Sequence, residues 1–243
     1  MAAIARSEPF KDQVCPLGVC DGSGWILGPE DVARPCECRA ERLNRGRSRG
    51  ISSVIPPRYR GVSFERPPVS DMARDLQTKA AVAEVRAYIE DLDMRLEEGR
   101  GLWLFGDTGT GKTTLAMLIS KAALEAGRSV AIYSLPKLLA RIRRTYDSEP
   151  GGDNYLSFFE RLTSVDLLHI DDLGAEKRSD WVLEQLYALI NERYEDQRAV
   201  LVTTNLRHDE LEDQIGSRTV SRLTQMCDEV ELTGHDRRYG RAA

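Results

Sequence analysis

From about residue 70 onward the chain predicts an α/β fold, a parallel sheet flanked by helices. Three observations carry that prediction. Helical and strand periodicities alternate through the region, as in successive βα units rather than hairpins. A short apolar run, Leu102-Trp103-Leu104-Phe105, leads directly into the glycine-rich segment Gly106-Asp107-Thr108-Gly109-Thr110-Gly111-Lys112-Thr113. A later apolar run, Leu167-Leu168-His169-Ile170, ends in the carboxylate pair Asp171-Asp172.

Taken in order, residues 72–98 are expected as one helix ending before Gly99, and 102–105 as the first strand. Residues 112–126 read as a helix closed by Gly127, and 129–133 as a second strand. Residues 135–146 form an amphipathic helix, with Leu135, Leu138, Leu139, Ile142 and Tyr146 on one face and Lys137, Arg141 and Arg144 on the other. A third strand is expected over 166–170 and a fourth over 199–203, with a short fifth over 230–232. Between the third and fourth, residues 180–197 place Leu183, Leu186, Tyr187, Ile190 and Tyr194 on one helical face.

Two segments precede this core. Residues 1–38 are rich in Cys, Gly and Pro and lack a long apolar run, while 39–68 form a basic and then proline-marked connector. The expected organisation is a small module with its basic linker over 1–50 and one α/β domain over 51–243. A length of 243 residues suits that division. The net charge of −5 gives no global attraction to nucleic acid, so a local patch has to supply any such contact. No apolar run approaches the roughly 20 residues that span a bilayer, and Met1 to Phe10 lacks a signal-peptide core. A cytoplasmic protein without a membrane partner is expected.

The segment Gly106–Thr113 fills every fixed position of a Walker A loop. Its glycines let backbone N–H groups surround a phosphate, Lys112 reaches the β/γ-phosphates, and the Thr113 hydroxyl can ligate Mg²⁺. The helix that begins there, with Thr114 in its first turn, adds its dipole to the same anion site. A nucleoside triphosphate is the expected ligand. Asp171, delivered by a neighbouring strand, is placed to hold the metal, and Asp172 to polarise the attacking water. His169 reads as a packed core residue in preference to a proton relay. Asn205, after Thr203-Thr204, is a strand-tip polar group expected to face the γ-phosphate, against the alternative of a plain turn. Arg218 and Arg222, four apart on an expected helix, share a face. They are either solvated or able to reach the γ-phosphate of a neighbouring copy.

Four of the five cysteines, Cys15, Cys20, Cys36 and Cys38, lie before residue 40. In a reducing compartment such clustering points to metal rather than disulfides. Two close pairs suit tetrahedral zinc, with Gly18, Gly22 and Gly24 available for turns. Four independent thiols or an iron–sulfur cluster are the alternatives. Cys227 reads as a small buried hydrophobe.

With these residues in hand, roughly residues 54–240 resemble the AAA+ ATPases of the bacterial helicase-loader group, the DnaC/DnaI-type proteins and the related IstB transposition helpers. The resemblance rests on Ile55-Pro56-Pro57-Arg58-Tyr59-Arg60-Gly61-Val62-Ser63-Phe64-Glu65, the Gly106–Thr113 loop, Ile170-Asp171-Asp172-Leu173-Gly174, Thr203-Thr204-Asn205, and Arg218 with Arg222. It implies a P-loop AAA+ domain with a five-stranded parallel sheet, ATP and Mg²⁺ as ligands, and self-association through the AAA+ interface. It implies an arginine finger at Arg218 or Arg222, and Tyr59 and Phe64 as candidates for packing near adenine or in the core. It also implies that an added helix, here 135–146, lines a channel for single-stranded DNA, which makes Lys137, Arg141 and Arg144 the expected phosphate contacts, against the alternative of an ordinary solvated face. Arg39, Arg42, Arg45, Arg47 and Arg49 form a second basic stretch that is either a DNA or acidic-partner contact or a soluble linker. A zinc-bearing N-terminal module resembles the DnaI-type loaders, in which that part engages the helicase.

Two departures from the pattern are visible. Asp172 stands where many AAA+ proteins have a catalytic Glu, which implies slow turnover. The segment after Arg222 is expected to be too short for a three-helix lid, so the lid is reduced or absent, and Arg237 or Arg238 is only a weak stand-in for its arginine. The leading expectation is an ATP-dependent loader of a hexameric replicative helicase onto single-stranded DNA, with slow, partner-stimulated ATPase activity. The alternatives are an IstB-like helper that delivers a transposase to DNA and a weakly hydrolysing ATP-switch protein.

Overall fold

The structure is a computed structural model that describes residues 15, 17–20, 25–27, 33–39, 55–146 and 154–237. The chain divides into two compact units, Met1–Gly46 and Arg47–Ala243. In the first, strands β1 (Trp25–Leu27) and β2 (Ala33–Pro35) pair antiparallel, with Trp25 opposite Pro35. The Arg39 guanidinium lies 3.7 Å over the Trp25 ring. Of the basic stretch, Arg42, Arg45, Arg47 and Arg49 lie outside the described residues.

In the larger unit a 3-10 helix at Pro57–Tyr59 precedes helices α1 (Val69–Met72), α2 (Lys79–Glu90) and α3 (Leu92–Glu97). The helices α1 to α3 replace the single helix expected over 72–98. The physical reason is local side-chain competition with the helix ladder. The Thr78 hydroxyl donates to the Met72 carbonyl at 2.8 Å, and Asp75 Oδ1 accepts the Gln77 N–H at 2.9 Å, which closes a turn between α1 and α2. A second break falls at Asp91, whose ψ of 15° departs from the helical value.

The sheet contains β3 (Gly101–Gly106), β4 (Val130–Ser134), β5 (Leu167–Asp171), β6 (Ala199–Thr203) and β7 (Cys227–Leu232). They are all parallel, in the order β4-β5-β6-β3-β7. β7 is twice the expected length and pairs with the whole of β3. Its acidic positions Asp228, Glu229 and Glu231 are not buried, as suits an edge strand whose apolar signal is confined to alternate residues. The strand that carries Asp171 is not adjacent to β3, because β6 lies between them.

Alternation along the strands sorts the core into two layers. Leu102, Leu104, Val130, Ile132, Leu167 and Leu201 pack with α2, α3 and α4 (Lys112–Glu125). Trp103, Ala131, Leu168, Ile170, Val200 and Val202 face the opposite layer. That layer contains α5 (Leu135–Tyr146), α6 (Tyr155–Ser164), α7 (Asp180–Glu195), α8 (His208–Ile215) and α9 (Ser217–Met226). No helix follows β7 among the described residues, and none of the described helices is long and apolar enough to cross a membrane.

Two helical faces differ from expectation. On α7 the buried stripe is Val182, Leu186, Leu189, Ile190 and Arg193, which leaves Leu183, Tyr187 and Tyr194 half-buried. Arg193 is fully buried and rotates the stripe, because its guanidinium donates to the carbonyls of Leu162 (2.7 Å), Thr163 (3.1 Å), Val165 (3.0 Å), Asp166 (3.4 Å) and Ala199 (2.6 Å). It thereby ties the end of α6 to the start of β6. On α5, Tyr146 is exposed rather than buried and stacks on Tyr155, with ring centroids 5.3 Å apart.

Candidate functional site

The carboxyl ends of β3, β5 and β6 converge, and in an open parallel sheet this edge is where ligands bind. The glycine-rich loop follows β3. Gly106 has φ 123°, and a Cβ there would lie 2.3 Å from the Leu232 carbonyl oxygen, so only glycine lets β3 and β7 stay in register at this point. Gly109, at φ 79°, lies under the Asp236 carboxylate, which would meet a Cβ at 1.9 Å. The Lys112 ammonium donates to the carbonyls of Gly106 at 2.9 Å and Asp107 at 2.6 Å. The Thr110 hydroxyl donates to the Asp107 carbonyl at 2.9 Å and closes the loop on itself.

A cavity of about 680 Å³ opens over this loop. Gly109, Gly111, Lys112, Thr113 and Thr114 line it, and Asp171, Asp172 and Asn205 reach it from β5 and β6. Gly106, Asp107, Thr108 and Thr110 shape the loop without lining the cavity. Arg218 and Arg222 do not line it either. Tyr59 and Phe64 both pack on the core; Tyr59 also lines the cavity, and the Arg86 guanidinium lies 4.0 Å over the Phe64 ring.

Thr203, which sequence reasoning passed over in favour of Asn205, organises the acidic pair. Its hydroxyl donates to Asp171 Oδ1 at 2.7 Å and accepts the Asp172 N–H at 2.9 Å. Asp171 is thus held with one carboxylate oxygen oriented and with access to the cavity, as a metal-holding carboxylate requires. With the Thr113 hydroxyl on the same cavity, this donor set is of the hard-oxygen kind that Mg²⁺ takes. Asp172 adopts φ 58°, a left-handed conformation that Asp tolerates better than most residues. The adjacent Thr204 is buried and donates to the Leu173 carbonyl at 2.7 Å, so the two strand tips are stitched together.

His169, buried in β5, has Nδ1 2.8 Å from the Ser120 hydroxyl of α4. Burial pushes it down to about 3, so it is neutral at physiological pH and packs as a core residue.

The segment after β7 crosses the glycine-rich loop. The Leu232 carbonyl accepts the Asp107 N–H at 3.1 Å, Asp107 Oδ2 accepts the Gly234 N–H at 3.1 Å, and the Gly109 carbonyl accepts the Arg237 N–H at 3.1 Å. His235 and Arg237 line the cavity, and the Arg237 guanidinium also pairs with Asp75. Arg237 is one of the two residues named as a stand-in for the lid arginine, whereas nothing in the sequence signalled the placement of His235. Arg238 lies outside the described residues.

Lys137, Arg141 and Arg144 line a second cavity, of about 500 Å³, together with Tyr133. Arg58, Tyr59 and Asp171 line both cavities, so a wall is shared between them.

In the smaller unit the sulfur atoms of Cys15, Cys20, Cys36 and Cys38 all lie within 4.8 Å of one another. Cys15 Sγ is 3.9 Å from Cys36 Sγ, and Cys20 Sγ is 3.5 Å from Cys38 Sγ. Four thiolates about 2.3 Å from one tetrahedral ion place their sulfurs about 3.8 Å apart. The cluster therefore fits a single zinc, and a multinuclear iron–sulfur cluster would spread the ligands further. The Cys20 backbone N–H facing Cys15 pulls that thiol down to about 6, toward the thiolate that a metal binds. Burial pushes Cys38 up. Gly22 and Gly24 lie outside the described residues.

Residues 75–241 match the family described as IstB-like ATP binding protein. The replicative helicase loader DnaC of Escherichia coli strain K12 is 27% identical over 188 residues, covering 77% of this chain and 71% of that protein. The replicative helicase loader DnaI of Bacillus subtilis is 22% identical over 233 residues, covering 89% of this chain and 71% of its own. The crystal structure of the DnaC helicase loader superposes with a TM-score of 0.63 at 25% identity, over 73% of this chain and all of that one.

Proposed function

The chain belongs to the family of IstB-like ATP-binding proteins, and from that premise we propose that it loads a hexameric replicative helicase onto single-stranded DNA, with ATP binding and hydrolysis as the assembly and release switch. The observation that carries the loader reading is the likeness in sequence and fold to proteins named helicase loaders. The four-cysteine cluster supports it, as a folded module available to engage the helicase.

In this reading Lys112 exchanges its two loop carbonyls for β/γ-phosphate oxygens, and the loop N–H groups receive the rest of the phosphate chain. Thr113 and Asp171 hold Mg²⁺, which when bound neutralises charge on the phosphates. Thr203 keeps Asp171 oriented, Asp172 takes a proton from the attacking water, and Asn205 orients that water. The short side chain of Asp172 on a left-handed backbone makes this base less adaptable than a glutamate, which supports slow basal turnover. An arginine from a neighbouring copy completes the site, since neither Arg218 nor Arg222 lines its own cavity. Lys137, Arg141 and Arg144 receive DNA phosphates. Because Arg58, Tyr59 and Asp171 border both cavities, occupancy of the basic one is transmitted to the metal-holding carboxylate, which couples DNA binding to turnover.

Co-assembly tests the reading. Full-length protein is mixed with a replicative hexameric helicase and, in parallel, with a transposase, with ATP or a non-hydrolysable analogue. A helicase complex that persists with the analogue and dissociates on hydrolysis is expected, and Lys112→Ala is expected to abolish the nucleotide dependence. A complex with the transposase alone would assign the chain to transposition instead.

A further inference from the structure

Of the two arginines on α9, one is held and the other is not. Arg218 is exposed and makes no hydrogen bond or ion pair among the described residues. Arg222 is half-buried. Its Nε donates to Asn191 Oδ1 at 3.2 Å, and its guanidinium carbon lies 4.3 Å over the Tyr194 ring. Both partners belong to α7 and are themselves fixed. The Tyr194 hydroxyl donates to Gln225 Oε1 at 2.7 Å, and Gln225 Nε2 donates to the Ser221 hydroxyl at 3.3 Å. The Asn191 amide donates to Glu195 Oε1 at 2.8 Å.

We infer that Asn191 and Tyr194 form a platform that positions Arg222 for the γ-phosphate bound to a neighbouring copy. The inference rests on the trans-acting arginine of the function proposed above, and it chooses between the two candidates. The bond to Asn191 uses Nε and the stack uses one face of the guanidinium, so the two terminal nitrogens carry no bond among the described residues. That fork is what binds phosphate bidentately. A guanidinium already restrained in direction needs little reorganisation when charge develops, whereas an unrestrained one must lose its rotamer freedom at that moment. Asn191 and Tyr194 are positioning residues and touch no substrate.

Mixed assemblies test this in the copy that donates the arginine. Full-length Lys112→Ala copies, which do not turn over ATP themselves, donate Arg222. Arg222→Ala copies keep their own nucleotide site and receive it. Each variant alone is expected to be inactive, and their mixture is expected to regain ATP turnover. When the Lys112→Ala copies also carry Tyr194→Leu or Asn191→Leu, the regained kcat is expected to fall on the order of tenfold with KM for ATP unchanged. Tyr194→Phe in the same copies keeps the ring and is expected to restore it. A mixture that regains no turnover overturns the trans-acting arginine, and the platform with it. A regained kcat indifferent to Tyr194→Leu and Asn191→Leu overturns the platform and leaves the trans arginine standing.

Discussion

Replacing Thr203 by valine removes one hydroxyl that two parts of the candidate site share. Thr203 is buried, at 1% exposure, so water cannot take over its role from that side. The lost donor to Asp171 Oδ1, now at 2.7 Å, is a hydrogen bond to a carboxylate, worth about 1.5–3 kcal/mol. The Asp172 N–H, now 2.9 Å from the hydroxyl oxygen, loses its acceptor at a cost of about 1 kcal/mol, since it is only partly buried. The valine methyl returns part of this through apolar burial. The net destabilisation is about 2–3 kcal/mol, or roughly 5–10 °C in Tm for a domain of this size. Urea unfolding followed by circular dichroism measures the first figure and thermal melting the second. Thr203→Ser keeps the hydroxyl and is expected to lose about 1 kcal/mol or less. A Thr203→Val protein within about 0.5 kcal/mol of the wild type, or a serine variant as unstable as the valine one, would refute the bridging role.

Three further outcomes follow from other parts of the molecule. Arg193→Met leaves the five carbonyls it now serves without that donor, and is expected to cost roughly 3–5 kcal/mol in urea unfolding; a loss under about 1 kcal/mol would contradict its structural role. His169 is held neutral by burial, with its value near 3 in the folded chain against the ordinary 6.5. The unfolded chain therefore binds the extra proton first, and this contribution to stability is full above about pH 6.5 and is lost as the pH falls toward 3, at up to about 1.4 kcal/mol per pH unit. His169→Asn is expected to flatten the stability profile between pH 6 and 4.5 by about that slope, and an unchanged slope would count against it. Zinc release by a thiol-modifying reagent, read with a metallochromic indicator, is expected to yield one ion per chain and none from a Cys15→Ser, Cys36→Ser double variant; an equal yield from that variant would remove the four-cysteine site.

The features most legible in the sequence are those with short-range causes. The glycine-rich loop between an apolar strand and a helix, the carboxylates closing β5, and the amphipathic α5 all depend on residues within a turn or two of each other. The features that escaped have long-range causes. Arg193 carries no local signal of its burial, because the five carbonyls it serves come from residues 162–166 and from Ala199. Thr203 acquires its place only when β6 is set beside β5. The break between α1 and α2 is a competition between the side chains of Asp75 and Thr78 and the helix ladder, which hydrophobic periodicity does not register. Asn191 and Tyr194 meet Arg222 across two helices about thirty residues apart in sequence.

The measurement that bears most directly on the proposed function is steady-state ATP turnover by the full-length protein, with single-stranded DNA and a replicative hexameric helicase added separately and together, beside Lys112→Ala and Arg222→Ala. Slow basal turnover that rises with these partners is expected, with no turnover in Lys112→Ala and loss of the stimulated rate in Arg222→Ala while ATP binding persists. Turnover that ignores both partners and is unchanged in Arg222→Ala would contradict that function.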